Sequence, residues 1–160
     1  MGIHSPLFRF LYTIEVPRLG GKPAQAGALC WRRHEGKLQV LLVKSRKSQR
    51  WVLPGGWALR SRPLAATAER EAWEEAGVSG TIGNRVLAVV PKRKHYRLAG
   101  QIEWQMAVFP LRVDALADEY PEAEERQRAW FSPEQAAKLV HPSSLGPILR
   151  EFAVPKTSAA

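Results

Sequence analysis

Cysteine is almost missing from this 160-residue chain: Cys30 stands alone, which excludes an intrachain disulfide and any cysteine-based zinc site. Flanked by Ala28, Leu29 and Trp31, it reads as a small buried hydrophobe rather than a reactive thiol. Long apolar runs are missing too. No stretch approaches the roughly 20 apolar residues a membrane span needs. Met1 to Tyr12, interrupted by Arg9, lacks the apolar core and cleavage site of a signal peptide. A cytoplasmic location is the expectation, with no membrane partner. Acidic residues are scarce beside basic ones, 15 against 24, for a net charge of +9. That surplus points to an anionic partner: nucleic acid, anionic lipid or a multiply phosphorylated small molecule.

What is present suits one domain. A hydrophobic content of 45% over this length provides a single core. Pro6, Pro17, Gly20, Gly21 and Pro23 make residues 1–23 an irregular arm, and residues 154–160 read as a disordered tail. Between them, residues 24–153 form the domain. Residues 26–32 and 38–43 read as strands joined at His34-Glu35-Gly36, the second apolar enough to be buried on both faces. Residues 51–53, 86–90, 103–113 and 129–131 read as further strands, with a polar loop over 91–100. Pro63 opens a helix over 64–76 that Gly77 closes. Ser132 and Pro133 open another to about residue 140, and a last helix spans about 145–152. The expected fold class is α/β, a mixed sheet between helices.

The first of these helices carries the chemistry. Glu71, Glu74 and Glu75 fall within an arc of roughly 100°, beside a small-residue stripe of Ala65, Ala68, Ala72 and Ala76. A solvated acidic face is the ordinary explanation for such a cluster. Against it, Glu71 and Glu75 repel at i,i+4 when no cation is present. The cluster also sits at the helix C-terminal end, where the macrodipole disfavours negative charge. Clustered hard oxygen ligands suit Mg²⁺.

Gly56, Arg62 and the run Arg70-Glu71-Ala72-Trp73-Glu74-Glu75-Ala76-Gly77-Val78 resemble the Nudix box, Gly-x5-Glu-x7-Arg-Glu-U-x-Glu-Glu-x-Gly-U, where U is a bulky aliphatic residue. Every charged position of the second half matches, at the family's spacing. Two positions depart: Arg62 replaces the first glutamate, and Ala72 stands at the first aliphatic position. The resemblance extends over roughly residues 25–152. Residues 50–56, 74–83, 92–95 and 126–131 are similar to diphosphoinositol polyphosphate phosphohydrolases, which also hydrolyse dinucleoside polyphosphates. Near the first strand, Ala24 and Gln25 stand where that subfamily has basic residues.

The resemblance implies a Nudix-type α/β/α sandwich and a pyrophosphohydrolase dependent on Mg²⁺, with Mn²⁺ as a substitute. Glu71, Glu74 and Glu75 are its expected metal ligands, with Glu124 of the acidic loop as a further one. Glu74 is the expected general base, and Arg70 orients a metal-binding glutamate. Gly55 and Gly56 allow close backbone approach to substrate. Lys44, Arg46, Arg50, Arg62, Arg93, Arg97, Arg126 and Arg128 are candidate phosphate contacts. The competing expectation is a Nudix-fold module that binds a ligand or RNA with weak or no hydrolysis. Arg62 favours it and the three retained glutamates oppose it; nucleic acid is the less favoured partner.

Overall fold

The computed structural model describes residues 18–152, so the expectations for residues 1–17 and for the tail lie outside the described residues. β1 (Arg18–Leu19) turns through Gly20 and Gly21, both at positive φ, into β2 (Lys22–His34). Two consecutive positive φ angles match the twist of a tight hairpin. The last part of the expected irregular arm is therefore a hairpin, because its glycines set a turn rather than a break.

β3 (Lys37–Lys44) follows β2, and β4 (Trp51–Val52) and β5 (Gly55–Trp57) precede α1 (Leu64–Ala76). After α1 come β6 (Val78–Ile82), β7 (Ala88–Tyr96), β8 (Gly100–Leu116), β9 (Arg128–Phe131), α2 (Pro133–Leu139) and α3 (Gly146–Glu151). The last helix is entered through a 3-10 turn, Ser143–Leu145. α1 has the limits its sequence dictates. α2 starts at a capping box in which Ser132 and Gln135 exchange hydrogen bonds of 3.1 Å, satisfying two otherwise unpaired groups.

β2 pairs in parallel with β8, Ala24 opposite Gln105 through Trp31 opposite Arg112; the other pairings are antiparallel. The sheet is mixed and its two faces sort the side chains by parity. Leu41 and Val43 join Ala28, Phe109 and Leu111 under the alanine stripe of α1. Val40 and Leu42 join Leu29, Met106 and Val108 under Leu145 and Leu149. Val40 to Val43 are all fully buried, as their unbroken apolarity predicts.

The polar stretch from Pro91 is not a loop. β7 runs through Lys92, Arg93, Lys94 and His95 in register with β8, and only residues 97–99 turn. Arg93, Lys94 and His95 are exposed, and the apolar cover of this arm comes from Ile102 and Trp104 of β8, so β7 itself lacks the alternation that marks a half-buried strand. β5 and β6 also escape the sequence reading. β6 holds a register shift at Gly80, where a β-carbon would overlap the Arg112 carbonyl oxygen.

Candidate active site

α1 lies across one face of the sheet because its alanines allow close approach, and this fixes where its glutamates emerge. Gly77, at φ 65°, ends the helix, and its N–H is directed at the carbonyls of Ala72 and Trp73. Beside the last turn, β5 runs against β2 with Gly56 opposite Ala26 and Gly55 opposite Gly27. The Gly55 N–H donates to Glu75 Oε2 at 3.4 Å. A β-carbon at Gly56 would lie 2.5 Å from the Glu71 carboxyl carbon, so glycine there is what lets that carboxylate reach the strand. At Gly55 a β-carbon would instead meet backbone, 2.9 Å from the Ala26 oxygen.

Glu75 is 7% exposed, an unusual burial for a carboxylate. Burial pushes its pKa up to about 8; Arg126 opposes the rise, and Glu71 and Glu122 add to it. Burial likewise raises Glu71, partly offset by a 2.9 Å hydrogen bond from Arg70 Nη2 to Glu71 Oε1. Glu74 is the more accessible member, with its side chain 41% exposed and 3.6 Å from Arg70 Nε. Arg126 Nη2 lies 3.4 Å from Glu75 Oε1, while its Nε donates to Glu122 Oε2 at 2.6 Å and its Nη1 to the Lys44 carbonyl at 3.2 Å. Two arginines thus divide the carboxylates between them. Among the described residues, no three His, Cys, Asp or Glu side chains converge as a ready-made cation cage.

The other sequence-derived candidates scatter. Glu124 is exposed, whereas Glu122 reaches the cluster and pairs with Arg126 and Arg46. The i,i+4 spacing of Glu122 and Arg126 was the available signal for it. Arg128 donates to the Ala76 carbonyl at 2.6 Å and lies over Tyr120, so it caps the negative end of α1. Arg46 is held by Glu125 at 3.1 Å, and Arg50 by the His141 ring. Lys44 sits over Trp51. Arg93 and Arg97 are exposed along the β7–β8 hairpin. Arg62 borders a shallow hollow with Glu69, Arg70 and Trp73. Glu69 and Trp73 stand on the helix face turned away from Glu75.

A larger cavity of about 530 Å³ opens on the opposite face of the sheet, lined by Pro91, Lys92, Arg93, Trp104, His141 and neighbours. Its connection to the glutamates is the short segment from Pro54 to Trp57. Gly55 and Gly56 in it face Glu75 and Glu71, and Trp57 packs against Trp104, ring centroids 5.4 Å apart. Burial lowers the pKa of Lys92, in the cavity wall, with the Glu75 carboxylate opposing the fall.

The chain has known counterparts. Residues 22–152 match the NUDIX domain. Diphosphoinositol polyphosphate phosphohydrolase 3-alpha of Mus musculus is 33% identical over 125 residues, covering 75% of this chain and 70% of the relative. Diphosphoinositol polyphosphate phosphohydrolase 2 of Rattus norvegicus is 30% identical over 124 residues, 75% of this chain and 64% of that protein. Among solved structures, the Ap4A hydrolase of C. elegans superposes with a TM-score of 0.56 at 21% identity, over 79% of this chain and 92% of its own. The NUDIX domain of Shewanella oneidensis NrtR, complexed with ADP ribose, gives 0.61 at 18% identity, over 92% and 97%. At these identities the structures speak for the fold. With the glutamate-bearing helix, its facing glycines and the family match over most of its length, the chain belongs to the Nudix hydrolase family.

Proposed function

We propose that this chain is a Mg²⁺-dependent pyrophosphohydrolase that cleaves a phosphoanhydride bond in a polyphosphorylated substrate, a diphosphoinositol polyphosphate or a dinucleoside polyphosphate. The observation that carries the reading is the crowding of Glu71, Glu75 and Glu122 beside the Gly55–Gly56 strand. Burial and mutual repulsion push Glu71 and Glu75 toward protonation there, an arrangement that a divalent cation relieves. Two relatives named as diphosphoinositol polyphosphate phosphohydrolases support the substrate class.

The donor set fits the ion. Glu71, Glu74 and Glu75 offer hard oxygens and leave further positions for phosphate and water, as Mg²⁺ prefers. When bound, the ion would neutralise phosphate oxygens and acidify a water. The chain's own residues do the rest. Glu74, the accessible glutamate, accepts the proton of the attacking water; the water oxygen bonds to phosphorus as the anhydride P–O bond breaks. Arg70 holds Glu71 in place through its 2.9 Å hydrogen bond. Phosphate release from a panel of polyphosphates should require Mg²⁺ or Mn²⁺ and stop with EDTA. Full activity after exhaustive chelation would rule this out. A ligand-binding module has one observation in its favour, the pairing of the glutamates with Arg70 and Arg126; binding without turnover of any panel member would establish it.

A further inference from the structure

Arg126 is poorly placed to grip a phosphate. Its side chain is 10% exposed, and each of its three nitrogens already has a protein acceptor. Nε donates to Glu122 Oε2 at 2.6 Å, Nη1 to the Lys44 carbonyl at 3.2 Å and Nη2 to Glu75 Oε1 at 3.4 Å. These acceptors belong to three separate parts of the chain: the acidic loop before β9, the end of β3 and the last turn of α1. The backbone braces the same fork. The Arg126 N–H donates to the Glu122 carbonyl at 3.2 Å, and the Lys44 N–H donates to the Gln127 carbonyl at 2.9 Å. The second oxygen of Glu75 accepts from the Gly55 N–H at 3.4 Å. Both oxygens of this carboxylate are therefore oriented, and each keeps a lone pair for a further partner.

We propose that Arg126 is a positioning residue for the metal-binding carboxylates. Its guanidinium fixes the orientation of Glu75 and its spacing from Glu122, and it acts on cation affinity, not on substrate binding. The inference rests on the pyrophosphohydrolase reading and concerns the same site. A planar fork suits acceptors on three sides, whereas a lysine presents a compact charge without that geometry. Charge alone argues the opposite way. A guanidinium beside the carboxylates repels an arriving Mg²⁺, so a residue present only for its field would weaken cation binding. Holding two like-charged carboxylates together before the ion arrives strengthens it, because the ion then meets ligands already ordered.

The experiment is a titration of the metal-free protein with Mg²⁺ alone, followed by calorimetry, for the wild type, Arg126→Lys and Arg126→Met. Arg126→Lys keeps the charge and loses the fork; Arg126→Met keeps an unbranched stem and loses the charge. Both should bind Mg²⁺ at least about tenfold more weakly, the usual scale for a residue that orients a metal ligand. At saturating Mg²⁺, the KM for diadenosine hexaphosphate should stay at the wild-type value. Unchanged Mg²⁺ affinity in Arg126→Lys overturns the proposal. So does tighter binding by Arg126→Met, which would mark a plain counter-charge, or a raised KM with normal Mg²⁺ affinity, which would mark a phosphate contact. Thermal melts of the metal-free proteins identify unfolding. Arg126→Met, apolar and adaptable when buried, decides the question should Arg126→Lys melt early. A wild type that binds no Mg²⁺ sinks the pyrophosphohydrolase reading together with this proposal; equal binding by all three proteins sinks only the role of Arg126. If Mg²⁺ binds but no polyphosphate is cleaved, the enzymatic reading fails while the titration still decides Arg126.

Discussion

Glu75 holds a carboxyl group, negatively charged once a cation binds, where water has little access, with Arg126 beside it. Replacing it by glutamine removes that charge with little change of shape. Glu75→Gln and Glu74→Gln should each lower turnover by at least ~10²-fold, the scale of a lost metal charge or general base. Mg²⁺ should also raise the melting temperature of the wild type but not of Glu75→Gln, since a cation stabilises the state that binds it. Near-normal turnover in both folded variants would sink the assignment. Cys30 is the opposite case. Burial pushes its thiol far above the ordinary range, with Glu75 adding to the rise. The folded protein should therefore resist thiol reagents at pH 8 and react fully once denatured, a contrast readable by absorbance. A thiol this buried was legible from its apolar neighbours alone. Glu122 was hinted at only by its spacing from Arg126, because its position depends on a loop bringing the Glu122 N–H onto the Glu74 carbonyl, 3.0 Å away.

At the scale of elements, the strand beside α1 makes two neighbouring glycines do different work. A methyl group at Gly55 runs into backbone, whereas at Gly56 it meets only the flexible end of Glu71. Gly55→Ala should destabilise the fold by about 1–3 kcal/mol, an overpacking loss visible in thermal melts. Gly56→Ala should melt near the wild type yet lose about 10²-fold in turnover through a displaced carboxylate. Equal effects on melting and turnover at both positions would contradict the geometry. The helix itself could be read to the residue from Pro63, the alanine stripe and Gly77. The strand facing it could not, since Gly55, Gly56 and Trp57 show no alternation and owe their pairing to β2. β7 was hidden for a related reason: its backbone is satisfied by β8, so Lys92 to His95 sit in a strand without an apolar face of their own.

Over the whole molecule, part of the +9 charge flanks the glutamate helix in sequence. Lys44, Arg46 and Arg50 lie before it in sequence, Lys92, Arg93 and Arg97 after it. Their summed field should draw in substrates with many phosphates. kcat/KM is expected to be higher for diadenosine penta- or hexaphosphate, or for diphosphoinositol phosphates, than for ADP-ribose. The advantage should shrink as salt is added. Equal or better turnover of ADP-ribose at low salt would refute this. Charge and motif gave the family and the helix bearing the glutamates. They did not reveal the cavity, because its walls come from β7, β8 and the end of α2, which meet only when the sheet closes.

The parallel pairing of β2 with β8 also has a kinetic side. Ala24 meets Gln105 roughly eighty residues further along the chain, a contact of the non-local kind that slows folding. During synthesis, β2, β3 and α1 all emerge before the strand that completes the sheet centre. Until β8 arrives, the inner edge of β2 and the apolar faces under α1 lack their cover, which is when such chains are most prone to associate. The yield of folded enzyme should therefore depend more on β8 than on the glutamates of α1.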